Sequence, residues 1–109
     1  MSEERTPQGP VPPGGQIRVL GGFFDGLEVD LSQEWFVIGR GREANLILAE
    51  PTISRAHAAV GFDGDDYFLR DLGSTNGSFV NGQQEREVVL SDCDEVQMGR
   101  LRLRVSLPQ

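Results

Sequence analysis

Short runs in which apolar and polar residues alternate, broken by Gly, Asn and Asp, fill the chain from Gln16 onward. Alternation of period two marks strands with one buried face, and no stretch carries the 3.6-residue period long enough to make a helix of any length. The pattern predicts strands over 16–20, 27–31, 35–40, 46–48, 57–62, 67–72, 78–80, 86–90, 95–98 and 101–106. Turn chemistry separates them at Phe24-Asp25-Gly26, Asp63-Gly64-Asp65, Gly73 to Gly77 and Asn81-Gly82. The expected class is all-β, with two packed antiparallel sheets and no long helix. Val96 and Met98 share one parity while Leu101, Leu103 and Val105 share the other, so a tight turn is expected at Gly99. In that last strand Arg100, Arg102 and Arg104 point together away from the leucines, either as a binding stripe or as a solvated face paired with neighbouring carboxylates.

Residues 1–15 hold four of the six prolines and no aromatic residue, a composition expected of a mobile tail, so the domain is expected to cover 16–109. A length of 109 residues suits one domain, and 38% apolar with 25% charged residues permits a packed core. No run approaches the roughly 18 apolar residues that span a bilayer, and the first fifteen residues contain no apolar signal region. The expected location is the cytoplasm, with no membrane partner.

Charge narrows the chemistry. Ten basic and seventeen acidic residues give a net charge of −7, and all ten basic residues are arginine. Without lysine there is no Walker-type phosphate loop and no Schiff base, and an acidic total disfavours nucleic acid. Cys93 and His57 are the sole residues of their kinds, so neither a disulfide nor a Cys/His zinc site can form within the chain. Asp63, Asp65 and Asp66 lack the Glu that a calcium loop needs twelve positions on, where Ser74 stands, and read as a hairpin turn. No metal or cofactor is expected.

Polar residues and glycines concentrate in Gly39-Arg40, in Ser54-Arg55-Ala56-His57, and in Gly73-Ser74-Thr75-Asn76-Gly77 followed by Asn81-Gly82. Guanidinium groups, hydroxyls and an amide on loops between strands are donors suited to an anion, because the guanidinium fork matches phosphate oxygens two at a time. Each residue also has a plainer reading. Arg40 could neutralise Glu43 or Asp71, Ser54 could cap a turn, and Asn76-Gly77 is first of all a turn dipeptide. His57 could serve Ser54 and Asp71 in a catalytic triad, or be a buried brace between loops.

Taken together, GR, SRAH, DLGSTNGSFVNG and LSDCDEVQMG closely resemble the forkhead-associated (FHA) domain, over about residues 17 to 106 and in the family's order and spacing. The resemblance implies an eleven-stranded β-sandwich whose end loops bind phosphothreonine in an extended peptide, in partners phosphorylated by a Ser/Thr kinase. It assigns the phosphate to Arg40 and Ser54, with Arg55 and Thr75 as additional contacts, and the peptide backbone to Asn76. Gly39, His57, Gly77, Asn81 and Gly82 fall at its loop-shaping positions. Thr52, Ile53, Ser74 and Ser78 are expected to flank the ligand. Cys93 departs from the pattern, since Gly usually precedes the Asp of the late turn. If the site needs positive φ, cysteine costs about 1 kcal/mol there. Thr6, followed by Pro7, is a candidate phosphorylated partner within the chain itself. A phosphorylation-independent interaction scaffold is the alternative function, and a hydrolase using Ser54 and His57 is a more remote one.

Overall fold

A computed structural model describes residues 4–108. It contains eleven strands: β1 (Gln16–Leu20), β2 (Glu28–Asp30), β3 (Trp35–Gly39), β4 (Leu46–Ile47), β5 (Ala58–Phe62), β6 (Tyr67–Asp71), β7 (Ser78–Val80), β8 (Gln83–Gln84), β9 (Glu87–Val89), β10 (Glu95–Met98) and β11 (Leu101–Ser106). One sheet runs β2-β1-β11-β10-β7-β8 and the other β4-β3-β5-β6-β9. No helix occurs among the described residues. The strand that alternation does not mark is β8, whose two glutamines are exposed and are placed by the Asn81-Gly82 hairpin opposite Val80 and Phe79.

Pairing is antiparallel except between β3 and β4, which run parallel with Ile38 opposite Leu46. The cause is local. Asn45 turns back on Val37, donating its N–H to the Val37 carbonyl at 2.8 Å and accepting the Val37 N–H on its side chain at 2.8 Å. Two residues are too few for an alternation pattern to reveal a strand's direction.

The core is formed where the inner faces meet. Ile17, Val19, Val96, Met98, Leu103 and Val105 from one sheet pack against Phe36, Ile38, Val60 and Leu69 from the other. Burial of each such side chain contributes roughly 1.5–3 kcal/mol. Strand β11 alternates buried and exposed along its whole length, so Arg102 and Arg104 lie outside, and Arg100 is exposed in the turn that precedes the strand. Arg104 pairs with Glu95 at 3.3 Å and Arg100 with Glu50 at 3.4 Å, which makes this outer surface a solvated, charge-paired face.

Composition assigned residues 1–15 to a tail outside the domain, but the part described lies against it. The Gln8 N–H donates to the Phe62 carbonyl at 2.8 Å and the Tyr67 hydroxyl to the Pro12 carbonyl at 3.1 Å. Arg5 pairs with Asp63 at 2.9 Å, and its carbonyl accepts from Arg70. The acidic β5–β6 turn supplies the charge that holds Arg5, an attraction invisible to a reading of the tail alone. These contacts, the Asp63–Asp66 turn and Asn81-Gly82 mark one end of the sandwich. The loops leading out of β3 and into β5 and β7 mark the other.

Candidate functional site

A backbone seam brings the first two loops together. The Arg40 N–H donates to the Ser54 carbonyl at 3.0 Å and the Gly41 N–H to the Arg55 carbonyl at 3.0 Å. The seam is possible because residue 39 is glycine: a Cβ there would stand 2.0 Å from the Arg55 carbonyl oxygen. The Arg40 Nε donates to the Ile53 carbonyl at 3.1 Å, which fixes the side chain and leaves its terminal nitrogens outward. Arg40 and Arg55 are both exposed.

The third loop is held to the second by His57. This ring is fully buried, accepts the Ser54 backbone N–H on Nδ1 at 3.1 Å, and meets the Gly77 carbonyl with Nε2 at 2.8 Å. Since a carbonyl can only accept, Nε2 carries the proton and Nδ1 does not. Both nitrogens are thus engaged by backbone groups. Asp71 likewise serves the loop and not a triad. It accepts the Ser74 and Ser78 hydroxyls at 2.6 Å each and the Ser74 N–H at 3.0 Å. Burial opposes ionisation of Asp71, but those hydroxyls and the Ser74 N–H outweigh it and hold the carboxyl below the ordinary aspartate range.

So braced, the β6–β7 loop lays its donors beside Ser54. The Thr75 N–H donates to the Ser54 hydroxyl at 3.2 Å, which leaves the Ser54 hydrogen free to donate outward. The Asn76 amide donates to the Thr52 carbonyl at 2.8 Å. Thr52 joins a further turn, because its hydroxyl accepts the Arg100 N–H at 2.8 Å and donates to Glu50 at 2.9 Å. The tight turn expected at Gly99 is present with φ of 56°, and a Cβ there would lie 2.4 Å from the Thr52 hydroxyl. The Thr52 N–H and hydroxyl, with Arg100 beside them, hold the Glu50 carboxyl below its usual range.

Arg40, Ser54, Arg55, Thr75 and Asn76 thus gather at one end of the sandwich, with Gly39, His57 and Gly77 behind them. Asn81 and Gly82 lie at the opposite end of β7, where the Asn81 side chain bonds Asp94 at 2.9 Å and the Glu95 N–H at 3.0 Å. Ile53 and Ser78 are buried, so of the four residues expected to flank a ligand these two face inward. The sequence reading missed Arg42. It lines a cavity of about 520 Å³ together with Arg40, Arg55 and Glu43. No sequence signal marked it, because Arg40 and Arg42 lie in a loop beyond β3 where no strand period sets the direction of a side chain. Arg40, Arg42 and Arg55 form no ion pair among the described residues, whereas five other arginines do. Asp71 and Glu43 therefore do not neutralise Arg40. Among the described residues no cluster of His, Cys, Asp and Glu could hold a metal ion.

Comparison with known proteins identifies the family. The FHA domain profile matches residues 36–99. An oxoglutarate dehydrogenase inhibitor of Corynebacterium jeikeium is 41% identical over 73 residues, 67% of this chain and 51% of that protein. The glycogen accumulation regulator GarA of Mycobacterium tuberculosis is 34% identical over 94 residues, 85% of this chain and 58% of that protein. The chain thus spans a little over half the length of these curated relatives. A solved structure from work on phosphothreonine-dependent FHA domain interactions is 30% identical with a TM-score of 0.80, covering 87% of this chain and 97% of that one. The FHA domain of FhaA, solved in complex with the intracellular domain of another protein, is 32% identical with a TM-score of 0.77, covering 84% and 99%. The chain belongs to the FHA domain family.

Proposed function

We propose that this chain binds phosphothreonine in partner proteins and acts as an adaptor in Ser/Thr kinase signalling, with the phosphate held by Arg40, Ser54, Arg55, Thr75 and the additional Arg42. One observation carries the assignment: three guanidinium groups without carboxylate partners among the described residues line one cavity. Their three positive charges less the one negative charge of Glu43 leave two, which matches the −1.5 to −2 of a phosphothreonine. The Ser54 hydrogen adds a neutral donor beside them, and the exposed Asn76 is placed to meet the peptide backbone. At physiological salt the Debye length is about 8 Å, so the chain's net negative charge on other faces is damped while these contacts are not.

Each charge-assisted hydrogen bond contributes roughly 1.5–3 kcal/mol, against several kcal/mol of association and ordering cost. Affinity on the order of micromolar follows, suited to occupancy set by a kinase and a phosphatase. Binding rather than catalysis is favoured because His57 has no free nitrogen with which to activate Ser54. The cytoplasm is the location this reading assigns. No helix among the described residues is long and apolar enough to cross a membrane. Calorimetric titration with matched phosphorylated and unphosphorylated threonine peptides tests the proposal. Binding of the phosphorylated peptide alone supports it, and equal binding of both would favour the phosphorylation-independent scaffold.

A phosphorylated Thr6 is a candidate ligand in the same scheme. Arg5 and Gln8 hold its segment at the far end of the sandwich, beside Asp63 and Phe62. The ten residues from Thr6 to Gln16 reach at most about 33 Å, and the molecule measures 33 × 32 × 27 Å. A neighbouring copy's Thr6 therefore reaches the site with less strain than the chain's own. Enzymatic phosphorylation of Thr6 should weaken binding of a competing phosphopeptide, and unchanged peptide affinity would dismiss this ligand.

A further inference from the structure

The turn joining β1 to β2 carries an apolar tip that neither the core nor the phosphate site uses. Phe23 is 94% exposed and Leu27 39% exposed, while Phe24 packs against the core. The two phenyl rings meet edge to face at 5.1 Å, so the partly buried ring supports the exposed one. The turn itself is ordered by hydrogen bonds. Asp25 accepts the Gly21 N–H at 2.6 Å, the Gly26 N–H reaches the Val19 carbonyl at 2.9 Å, and the Leu27 N–H reaches the Phe24 carbonyl at 3.1 Å. Single exposed apolar side chains are ordinary on protein surfaces. This one is held in place by its neighbour and stands at the end of the molecule where the donors gather.

Its position follows from the register. Leu20 lies opposite Arg102, so Gly21 and Gly22 run beside the Gly99-Arg100 turn. That turn is bonded to Thr52, and Thr52 to Asn76. The path from Asn76 to the Phe23 ring crosses two hydrogen-bonded neighbours and one strand spacing, each about 5 Å. Together they span roughly 15 Å, or four to five residues of extended peptide beyond the Asn76 contact.

We propose that Phe23 is a second contact for the phosphorylated partner, receiving a large apolar side chain several residues from the phosphothreonine on the Asn76 side. The proposal rests on the phosphothreonine reading above and adds the ring as a determinant of which phosphorylated segments bind. An aromatic ring already fixed by Phe24 presents a large apolar area and loses little freedom when covered. The net charge of −7 argues against an anionic membrane as the occupant.

The test uses the full chain and a peptide library with phosphothreonine fixed at the centre and eight degenerate positions on each side. The wild type should enrich Leu, Ile, Met or Phe at one distal position, and Phe23→Ser should lose that enrichment while still selecting phosphorylated over unphosphorylated peptide. By calorimetry, replacing the selected apolar residue with Ser should weaken wild-type binding about tenfold and leave Phe23→Ser unaffected. Identical selection and affinity for both proteins would overturn the role of Phe23 and leave phosphate binding standing. Failure of the wild type to distinguish phosphorylated peptide would remove both readings. Self-association abolished by Phe23→Ser, without any change in peptide affinity, would assign the tip to a second copy and also overturn the proposal.

Discussion

Gly39→Ala perturbs the seam that sets Arg40 beside Ser54. The new Cβ would stand 2.0 Å from the Arg55 carbonyl oxygen and 2.7 Å from its carbon, both backbone atoms that cannot swing aside. A carbon and a carbonyl oxygen approach to about 3.3 Å, so the two segments must part by roughly 3.3 − 2.0 = 1.3 Å. That separation breaks the Arg40–Ser54 and Gly41–Arg55 backbone bonds. Two bonds at about 1 kcal/mol each, with a further cost from the disturbed packing, give a destabilisation near 3 kcal/mol. For a domain of this size the midpoint should fall by about 12–20 °C. Denaturant unfolding measures the stability, and titration of the surviving folded protein with a phosphothreonine peptide measures the site. Affinity should fall at least tenfold even where the protein is fully folded, because the two loops no longer register. A Gly39→Ala protein with unchanged stability and affinity would refute the seam as the device that assembles the site.

Arg40→Ala and Ser54→Ala should each abolish detectable phosphopeptide binding in calorimetry, and Arg40→Ala should shift the thermal midpoint by no more than a few degrees, since its side chain is exposed. Arg42→Ala should weaken binding several-fold and lower its sensitivity to salt, and salt titration of the affinity would show whether that third charge takes part. Asp71 has a folded-state pKa below its unfolded one, so its contribution is complete above the ordinary aspartate value of about 4 and is lost as pH falls through the depressed value. Asp71→Asn should therefore be less stable than wild type at pH 7, with the gap closing in acid, as urea unfolding across pH would record. Cys93 sits at φ of 70°, and Cys93→Gly should raise stability by up to about 1 kcal/mol by the same measurement.

Most of the sandwich was legible because its strands bury one face. The alternation of Leu101, Leu103 and Val105 with arginines is readable from the residues alone, as is the change of phase at Gly99. Strand β8 was not, since two exposed glutamines carry no apolar signal and owe their pairing to a neighbouring hairpin. The docked segment over residues 5–15 was hidden for a related reason. Its partners, Asp63, Phe62, Tyr67 and Arg70, lie about fifty to sixty-five positions away and attract it through charge and backbone bonds that composition does not express. Within the site, Arg40, Ser54 and Asn76 could be named from motif spacing. Arg42 could not, because its membership depends on the cavity formed when the seam closes. Nor could the inward turn of Ile53, which sits in a loop where no period sets the direction of a side chain, whereas Ser78 shares the buried parity of Val80 in β7 and its inward direction follows from that alternation.

The most direct measurement is a crystal structure of the chain bound to a phosphothreonine peptide. The phosphate oxygens should lie about 3 Å from the Arg40 guanidinium and the Ser54 hydroxyl, with Arg42 and Arg55 flanking them. A phosphate seated elsewhere on the molecule, with Arg40 and Ser54 contacting only solvent, would contradict the account.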